Sequence, residues 1–406
     1  MRFYNTKSLY FYVGSGLAQV VTIITTFYII KKFTPAAFGQ FSYYFSIGSI
    51  IGSFATLKYE LSIPLSKDSQ ETNDKSNLTI LVSLLFNMIF SLIGLCTPLY
   101  DFNIYFLYIF LLANTVSINA CFQQFLLYKE EHFLNGLNPL LFSILNLLIL
   151  LCLTKNNGEV ILSSYVISNI ILFIIYIISV YQKGYSISLK KLSFYKGLFL
   201  KHLDFPKYVL PSSVANILLA YCNPIFIGYL FDKNNVGLFS FSLRILMLPS
   251  IVIGSVASSI YRAQIAKLYF DNDYSGIKAQ TRKLFLILTL LTIFCFPILI
   301  LVIKYIPLFI DMSKWVGILP IAIFLIPYSV SQLFFQPFSN LALVFKQNKI
   351  LLSQNILQLV VTVLAYFAAF IFKIEFSLFV IVLSISLFVV SFYSCYKFYQ
   401  ILKIQK

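Results

Sequence analysis

Two eleven-residue stretches decide the fold: FGQFSYYFSIG, from Phe38 to Gly48, and VGLFSFSLRIL, from Val236 to Leu246. Laid side by side without gaps, they match Gly39 to Gly237, Phe41 to Phe239 and Ser42 to Ser240. Such a short match is weak by itself and gains its weight from position. Each stretch opens the second apolar segment of one half of the chain.

Composition fixes the solvent in which those segments sit. Of 406 residues, 59% are hydrophobic and only 11% charged, with a mean hydropathy of +0.87. A water-soluble domain carries about a quarter charged residues. The apolar runs are each long enough to cross a hydrocarbon core of about 30 Å as a helix. Apolar runs set against charged breaks predict twelve spans: 8–30, 38–63, 78–99, 104–128, 134–153, 159–181, 208–230, 236–261, 284–306, 316–344, 350–371 and 376–396. The longest polar interval, 182–207, separates a six-helix lobe over 1–181 from another over 208–406 and reads as a cytoplasmic linker. Six spans per half is an even number, so both halves insert the same way round. The expected fold is an all-α membrane protein of two six-helix lobes, related by a parallel repeat about an axis along the membrane normal.

The N-terminal stretch does not read as a cleaved signal. Arg2 and Lys7 precede an apolar run too long for an h-region, and no A-x-A-type site follows. The six cysteines are scattered through apolar segments without C-x-x-C spacing and are expected to be inert buried thiols. Neither a cofactor nor a metal site is expected.

Charge sets the orientation. With the N-terminus inside, 21 basic residues fall in cytoplasmic segments and seven in outer ones, with Lys58 and Arg244 inside spans. This asymmetry is the positive-inside signature and places both termini in the cytoplasm. The net charge of +16 therefore reads as topology and attraction to anionic membrane lipid, with no nucleic-acid partner.

Polar residues recur on single helix faces. Ser42, Ser46, Ser49, Ser53, Thr56 and Glu60 are spaced so that all six share one narrow face of the second span. Ser15, Gln19, Thr22 and Thr26 do the same in the first span, and Ser212, Asn216 and Asn223 in the seventh. In the eighth, the face through Ser240 and Arg244 runs on to Gly254, Ser258 and Arg262. Small hydroxyl residues at this spacing also serve close helix packing, and that alternative stays open for the serines. The bulk of Asn, Gln, Glu and Arg on the same faces favours a water-accessible cavity between the lobes.

Arg244 is the repeat-mate of Ser46 and sits eight residues into its span. The chain uses 26 lysines and four arginines, so an arginine at depth departs from its own habit. Guanidinium makes bidentate contact with phosphate oxygens, and an intramembrane charge is functional by default. The alternative is a side chain that snorkels outward. Glu60 is placed near the cytoplasmic end, either as a gate pairing with Arg262 or a loop lysine, or as an interfacial acid in water. Lys58 points off that face and is expected to snorkel.

The segments LKYELSIPLSKD (57–68), DFPKYVLPSSVANIL (204–218), NVGLFSFSLRILMLPS (235–250) and QPFSNLALVFKQNKILLSQNILQL (336–359) resemble the Wzx-type oligosaccharide flippases of the multidrug/oligosaccharidyl-lipid/polysaccharide exporter superfamily. The resemblance spans both halves. It implies a MATE-like twelve-helix fold in the bacterial inner membrane that flips undecaprenyl-diphosphate-linked repeat units for O-antigen (lipopolysaccharide), capsule or related polymers. A polysaccharide polymerase and a chain-length regulator are the partners it implies. The family's cationic cavity maps here onto Arg244, with Ser46, Ser49, Ser53, Gln19 and Asn216 as candidate lining and Glu60 and Arg262 as candidate gate. Two other functions compete. A cation- or proton-coupled drug antiporter of the same superfamily wants carboxylates deep in the first helix of a lobe, where this chain has none. A membrane polymerase or glycosyltransferase wants a sizeable outer loop or paired outer carboxylates, whereas Asp101, Glu159, Asp232, Asp311 and Glu375 stand apart in sequence.

The charge asymmetry makes a direct prediction. Cysteines introduced at Ser188 and Asn272 should be shielded from a membrane-impermeant thiol reagent in intact cells, while one at Lys314 should be labelled. The reverse pattern would invert the orientation.

Overall fold

A computed structural model describes residues 6–96, 104–188, 190–309 and 311–404. Arg2, Asp101 and Lys406, used above for charge and loops, lie outside these. The described chain is helical, with no strand among the described residues. The first half holds α1 (Thr6–Lys32), α2 (Pro35–Ala55), α3 (Ser69–Cys96), α4 (Ile104–Tyr128), α5 (His132–Cys152) and α6 (Gly158–Gln182). The polar interval carries a short helix, α7 (Leu192–Lys201). The second half holds α8 (Leu210–Leu230), α9 (Lys233–Leu246), α10 (Ser255–Phe270), α11 (Tyr274–Tyr305), α12 (Ile318–Val344), α13 (Asn348–Phe372) and α14 (Phe376–Ile404).

Ten of the described helices are long and apolar enough to cross a membrane. The spans missing from that set are the second of each half. Serines, tyrosines and Gln40 dilute the apolar character of α2, and α9 is only 14 residues long. These two are therefore the helices least suited to face lipid, where polar groups must find partners inside the protein.

Both second spans are also shorter than expected. The sequence predicts one helix over 38–63, but α2 ends at Ala55. Leu57 and Lys58 then take left-handed backbone, φ 48° and 65°, a costly conformation for residues other than glycine. A 3-10 turn, Tyr59–Leu65, follows and packs on α3 and α4. The expected helix over 236–261 likewise breaks after Leu246, passes a π-helical turn at Ser250–Gly254, and resumes as α10. Pro249 explains the break, because a proline inside a helix has no N–H to donate and crowds the carbonyl four residues back. A second π-helical turn, Phe205–Val209, contains Pro206. Side-chain carboxylates start two neighbouring helices: Asp232 accepts from the Asn235 N–H (2.6 Å) ahead of α9, and Asp273 from the Gly276 N–H (2.8 Å) ahead of α11. Those N–H and hydroxyl donors hold the Asp273 pKa below its ordinary value.

Five of the cysteines, Cys121, Cys152, Cys222, Cys295 and Cys395, are free thiols. Cys121, Cys222 and Cys395 are buried, but Cys152 is exposed and Cys295 half-buried, so the expectation of uniform burial fails for these two.

The chain divides into two compact units, 1–29 with 40–225, and 30–39 with 226–406. In the first, α4 packs against α3 and α6, and α5 against α6. Its helices are bolted by polar pairs such as Ser83 to Ser117 (2.6 Å) and Ser164 to Asn146 (3.1 Å). In the second, α12 is central, with α9, α10, α11 and α14 around it. This unit also embeds the short segment 30–39, which joins α1 to α2. The Trp315 indole N–H is shared between the carbonyls of Ile30 (3.2 Å) and Phe33 (3.0 Å). Phe241 lies between Trp315 and Phe38, at ring distances of 4.5 and 5.4 Å.

The glycines that carry the sequence repeat meet each other. A Cβ on Gly39 would lie 1.7 Å from the Lys233 carbonyl oxygen and 2.7 Å from the Gly237 nitrogen. One on Gly237 would lie 1.8 Å from the Pro35 carbonyl oxygen. The starts of α2 and α9 thus cross backbone to backbone, which only glycine permits. Gly39→Val and Gly237→Val should each lower the unfolding midpoint of the purified protein by several degrees, since overpacking costs about 1–3 kcal/mol or more where backbone must move. Gly16→Val, at a helical position with nothing within 4 Å, is the control. Equal tolerance at all three sites would refute the crossing.

Candidate functional site

The serine face of α2 begins with how that helix packs. Gly48 and Gly52 lie against α4, where added Cβ atoms would come within 2.8 Å of Leu112 and 2.9 Å of the Ala113 carbonyl. Phe41 and Phe45 meet Tyr165 of α6, with ring centroids 5.7 and 4.7 Å away. The line of Ser42, Ser46, Ser49 and Ser53 runs about 100° round the helix from the glycine contact. Ser42, Ser46 and Ser49 are buried, the last two at 2% and 3% exposure, and Ser53 is half-buried.

Elsewhere in the unit, buried hydroxyls bond back to carbonyls of the preceding turn, as Ser76, Ser117 and Ser168 do. Among the described residues, the hydroxyls of Ser46, Ser49 and Ser53 make no such bond. A hydroxyl withdrawn from bulk water and left without a partner costs free energy, so these three hydroxyls differ from the packing serines elsewhere in the unit.

The lower end of the expected stripe is different. Thr56 and Glu60 are buried but lie beyond the end of α2, so they do not continue its face. Glu60 is not an interfacial acid in water. Its Oε1 sits 3.7 Å from Lys58 Nζ, and its Oε2 is buried without a hydrogen-bond partner. Lys58, expected to snorkel, instead folds back over the left-handed turn onto this carboxylate. Around them, Tyr59 Oη donates to the Phe199 carbonyl (3.0 Å) and the buried Lys75 Nζ to the Ser62 carbonyl (3.2 Å). Glu60 is therefore the charged centre of a tightly held corner of the first unit.

On α1, Gln19 is half-buried and Ser15 exposed. Thr22 and Thr26 bond back to the Ala18 and Thr22 carbonyls (2.8 and 2.7 Å). On α8, Asn216 is exposed and Asn223 buried.

Arg244, in the second unit, occupies the last turn of α9 and is half-buried. Because α9 starts at Lys233, three residues earlier than expected, Arg244 lies roughly 16 Å along the helix at 1.5 Å per residue. Two residues of α9 sharpen the polarity here: the hydroxyls of Ser240 and Ser242 are buried without partners. Ser242 is off the expected face. Below Arg244 the stripe is interrupted, because the π-helical turn re-aims the chain. Gly254 and Ser258 face α12, where Asn340 Nδ2 donates to Ser258 Oγ at 2.7 Å and a Cβ on Gly254 would lie 3.1 Å from Leu333. They are packing positions. Arg262, on α10, is exposed. Among the described residues, no cluster of three or more His, Cys, Asp or Glu is placed to hold a metal ion.

Comparison with known proteins places this geometry. A family model described as "Polysaccharide biosynthesis protein" matches residues 6–261. No curated protein sequence matches. Among solved structures, the fold is similar to that of the lipid II flippase MurJ in an inward closed conformation, with a TM-score of 0.72 at 13% identity over 95% of this chain and 87% of that one. It is also similar to an inward-facing multidrug resistance MATE family transporter of the MOP superfamily, with a TM-score of 0.69 at 14% identity over 96% and 95% of the two chains. A MOP superfamily transporter from Pyrococcus furiosus, described as having a binding pocket of reversed polarity, aligns with a TM-score of 0.55 at 14% identity over 98% and 95%.

Proposed function

Because the chain belongs to the polysaccharide biosynthesis protein family and is a multi-pass membrane protein of MATE-like fold, we propose that it is a flippase for undecaprenyl-diphosphate-linked oligosaccharide repeat units. In this proposal it works by alternating access in the bacterial inner membrane, with both termini cytoplasmic. It moves each unit to the outer leaflet, where a polymerase and a chain-length regulator build O-antigen, capsule or a related polymer.

The observation that carries the proposal is Arg244, held in the last turn of a short polar helix near the partnerless hydroxyls of Ser240 and Ser242. A glycan head cannot enter hydrocarbon unaided, since each unpaired polar group costs several kcal/mol there. The open hydroxyls of Ser46, Ser49 and Ser53, with the amides of Gln19 and Asn216, replace the water that the sugars give up. Arg244 takes the diphosphate through its planar fork. The prenyl tail stays in lipid.

The diphosphate carries about two negative charges, and moving each outward against an inside-negative potential releases about 2.3 kcal/mol per 100 mV. Membrane potential can then drive transport without a coupled ion. Glu60, committed to Lys58 in a packed corner, acts in this scheme as a structural charge rather than a proton carrier. An antiporter reading gains nothing from α1 or α8, whose sequences contain no carboxylate.

Surface polymer, measured in a host lacking its own copy and normalised to the amount of inserted protein, tests the role of Arg244. Arg244→Ala should abolish export, and Arg244→Lys should retain a fraction of it, having the charge without the fork. Arg244→Glu should be no better than alanine. A snorkelling arginine would instead leave the lysine variant near wild type, and full activity of the alanine variant would remove Arg244 from the mechanism.

A further inference from the structure

One cavity of the second unit has no residue of α9 in its lining and is independent of the function proposed above. It is a groove of about 590 Å³ between α11, α12 and α14. Its lining is graded along the helices. Lys278 and Arg282 are the fifth and ninth residues of α11, and Tyr396 and Tyr399 lie close to the end of α14. At 1.5 Å per residue all four fall roughly 6–12 Å from the helix ends that start α11 and finish α14. Phe285 of α11, Phe334 of α12 and Phe392 of α14 come roughly 15–18 Å from the same ends. These three rings form a continuous wall, with centroids 5.6 Å apart from Phe285 to Phe334 and 5.2 Å from Phe334 to Phe392.

One end of the groove is thus cationic and phenolic, and the other is wholly aromatic. Lys278 and Arg282 are four residues apart and so share one face of α11. Among the described residues neither forms a salt bridge. Two cations on one face repel each other; Lys278 is half-buried and Arg282 exposed at the mouth of the groove. Thr281, between the two cations in sequence, ties α11 to α10 by a hydrogen bond with Tyr261 at 2.7 Å. All three walls are helices apolar enough to cross a membrane, so whatever enters from the side enters from lipid. From the two cations to the far end of the aromatic wall is roughly 6–12 Å, within the roughly 15 Å depth of one leaflet's hydrocarbon. The upper part of a single acyl chain fits that length, whereas an undecaprenyl chain is far longer.

We propose that this groove is a binding site for one anionic phospholipid of the bilayer, its phosphate on Lys278 and Arg282 and one acyl chain along Phe285, Phe334 and Phe392. The tyrosines stand at headgroup level, where amphipathic rings are favoured. Such a lipid would neutralise the paired cations and join α11 to α14.

Native mass spectrometry of the purified full-length protein in detergent, titrated with single lipids, tests this. Dioleoyl phosphatidylglycerol should be retained as one tight molecule, at least about tenfold tighter than dioleoyl phosphatidylcholine, the order expected when charge-assisted contacts to phosphate are gained. Lys278→Ala combined with Arg282→Ala should remove that preference. Lys155→Ala with Lys314→Ala, equal in charge but elsewhere, should keep it. Ala279→Trp, which fills the groove without altering charge, should also abolish tight binding, so the proposal does not rest on the charge variant alone. Equal retention of the two phospholipids, or persistence of the preference in either groove variant, overturns the proposal. Competition by glycerophosphoglycerol as effective as by the lipid would mark a free-phosphate site and overturn it too. So would tight binding of undecaprenyl phosphate without binding of phosphatidylglycerol.

Discussion

The crossing of α2 and α9 at Gly39 and Gly237 is the constraint on which the rest depends. Two helix starts that approach to within backbone contact cannot slide, rotate or separate without losing the van der Waals packing that holds membrane helices together, because lipid supplies no hydrophobic drive between them. Trp315 closes the same corner from the other side, satisfying two carbonyls of the segment between α1 and α2 that would otherwise be unpaired in a dry interior. With its start fixed there, α9 has a defined direction. The depth of Arg244 then follows from the number of residues between the crossing and the arginine.

What α9 does next is set by Pro249. The helix ends just past Arg244, and the π-helical turn at Ser250–Gly254 sends α10 off on its own packing against α12. A straight helix over 236–261 would have carried Arg244, Ser258 and Arg262 on one face. The broken one separates a polar upper piece from a packed lower piece. The first unit shows a similar division by other means, because α2 stops at Ala55 and the left-handed residues Leu57 and Lys58 turn the chain into the corner around Glu60. In both halves the second span is a polar helix for part of its length and leaves the helix beyond it.

Much of this was legible in the sequence. The spans 104–128, 159–181 and 350–371 fall within a couple of residues of α4, α6 and α13, because charged or turn residues bound them on both sides. The repeat was visible as Gly39 and Gly237, although the sequence could not say that these glycines touch. Helix breaks were the main loss. Pro249 sits in an apolar run whose hydropathy hides it, and Pro206 just ahead of the seventh predicted span; each lies in or next to a π-helical turn, and the proline itself was the available signal. The Lys58–Glu60 pair was missed for a different reason: at i, i+2 the two cannot meet on a helix, and they meet here only because the backbone there is not helical. The distinction between lining and packing serines was also invisible, since it depends on whether each hydroxyl finds a carbonyl.

In the function proposed here, this chain moves a lipid-linked glycan across a bilayer, using a cationic point on a polar helix and an electrical driving force. The most direct measurement is transfer of an undecaprenyl-diphosphate oligosaccharide between leaflets of vesicles containing only the purified protein, read by accessibility of the sugar to an impermeant glycosidase or lectin. Transfer should run well above that in protein-free vesicles, accelerate when the potential is negative on the side from which the lipid departs, and be unaffected by sodium or proton gradients at zero potential. Transfer no faster than in protein-free vesicles, or transfer that requires an ion gradient and ignores the potential, would contradict the proposed function.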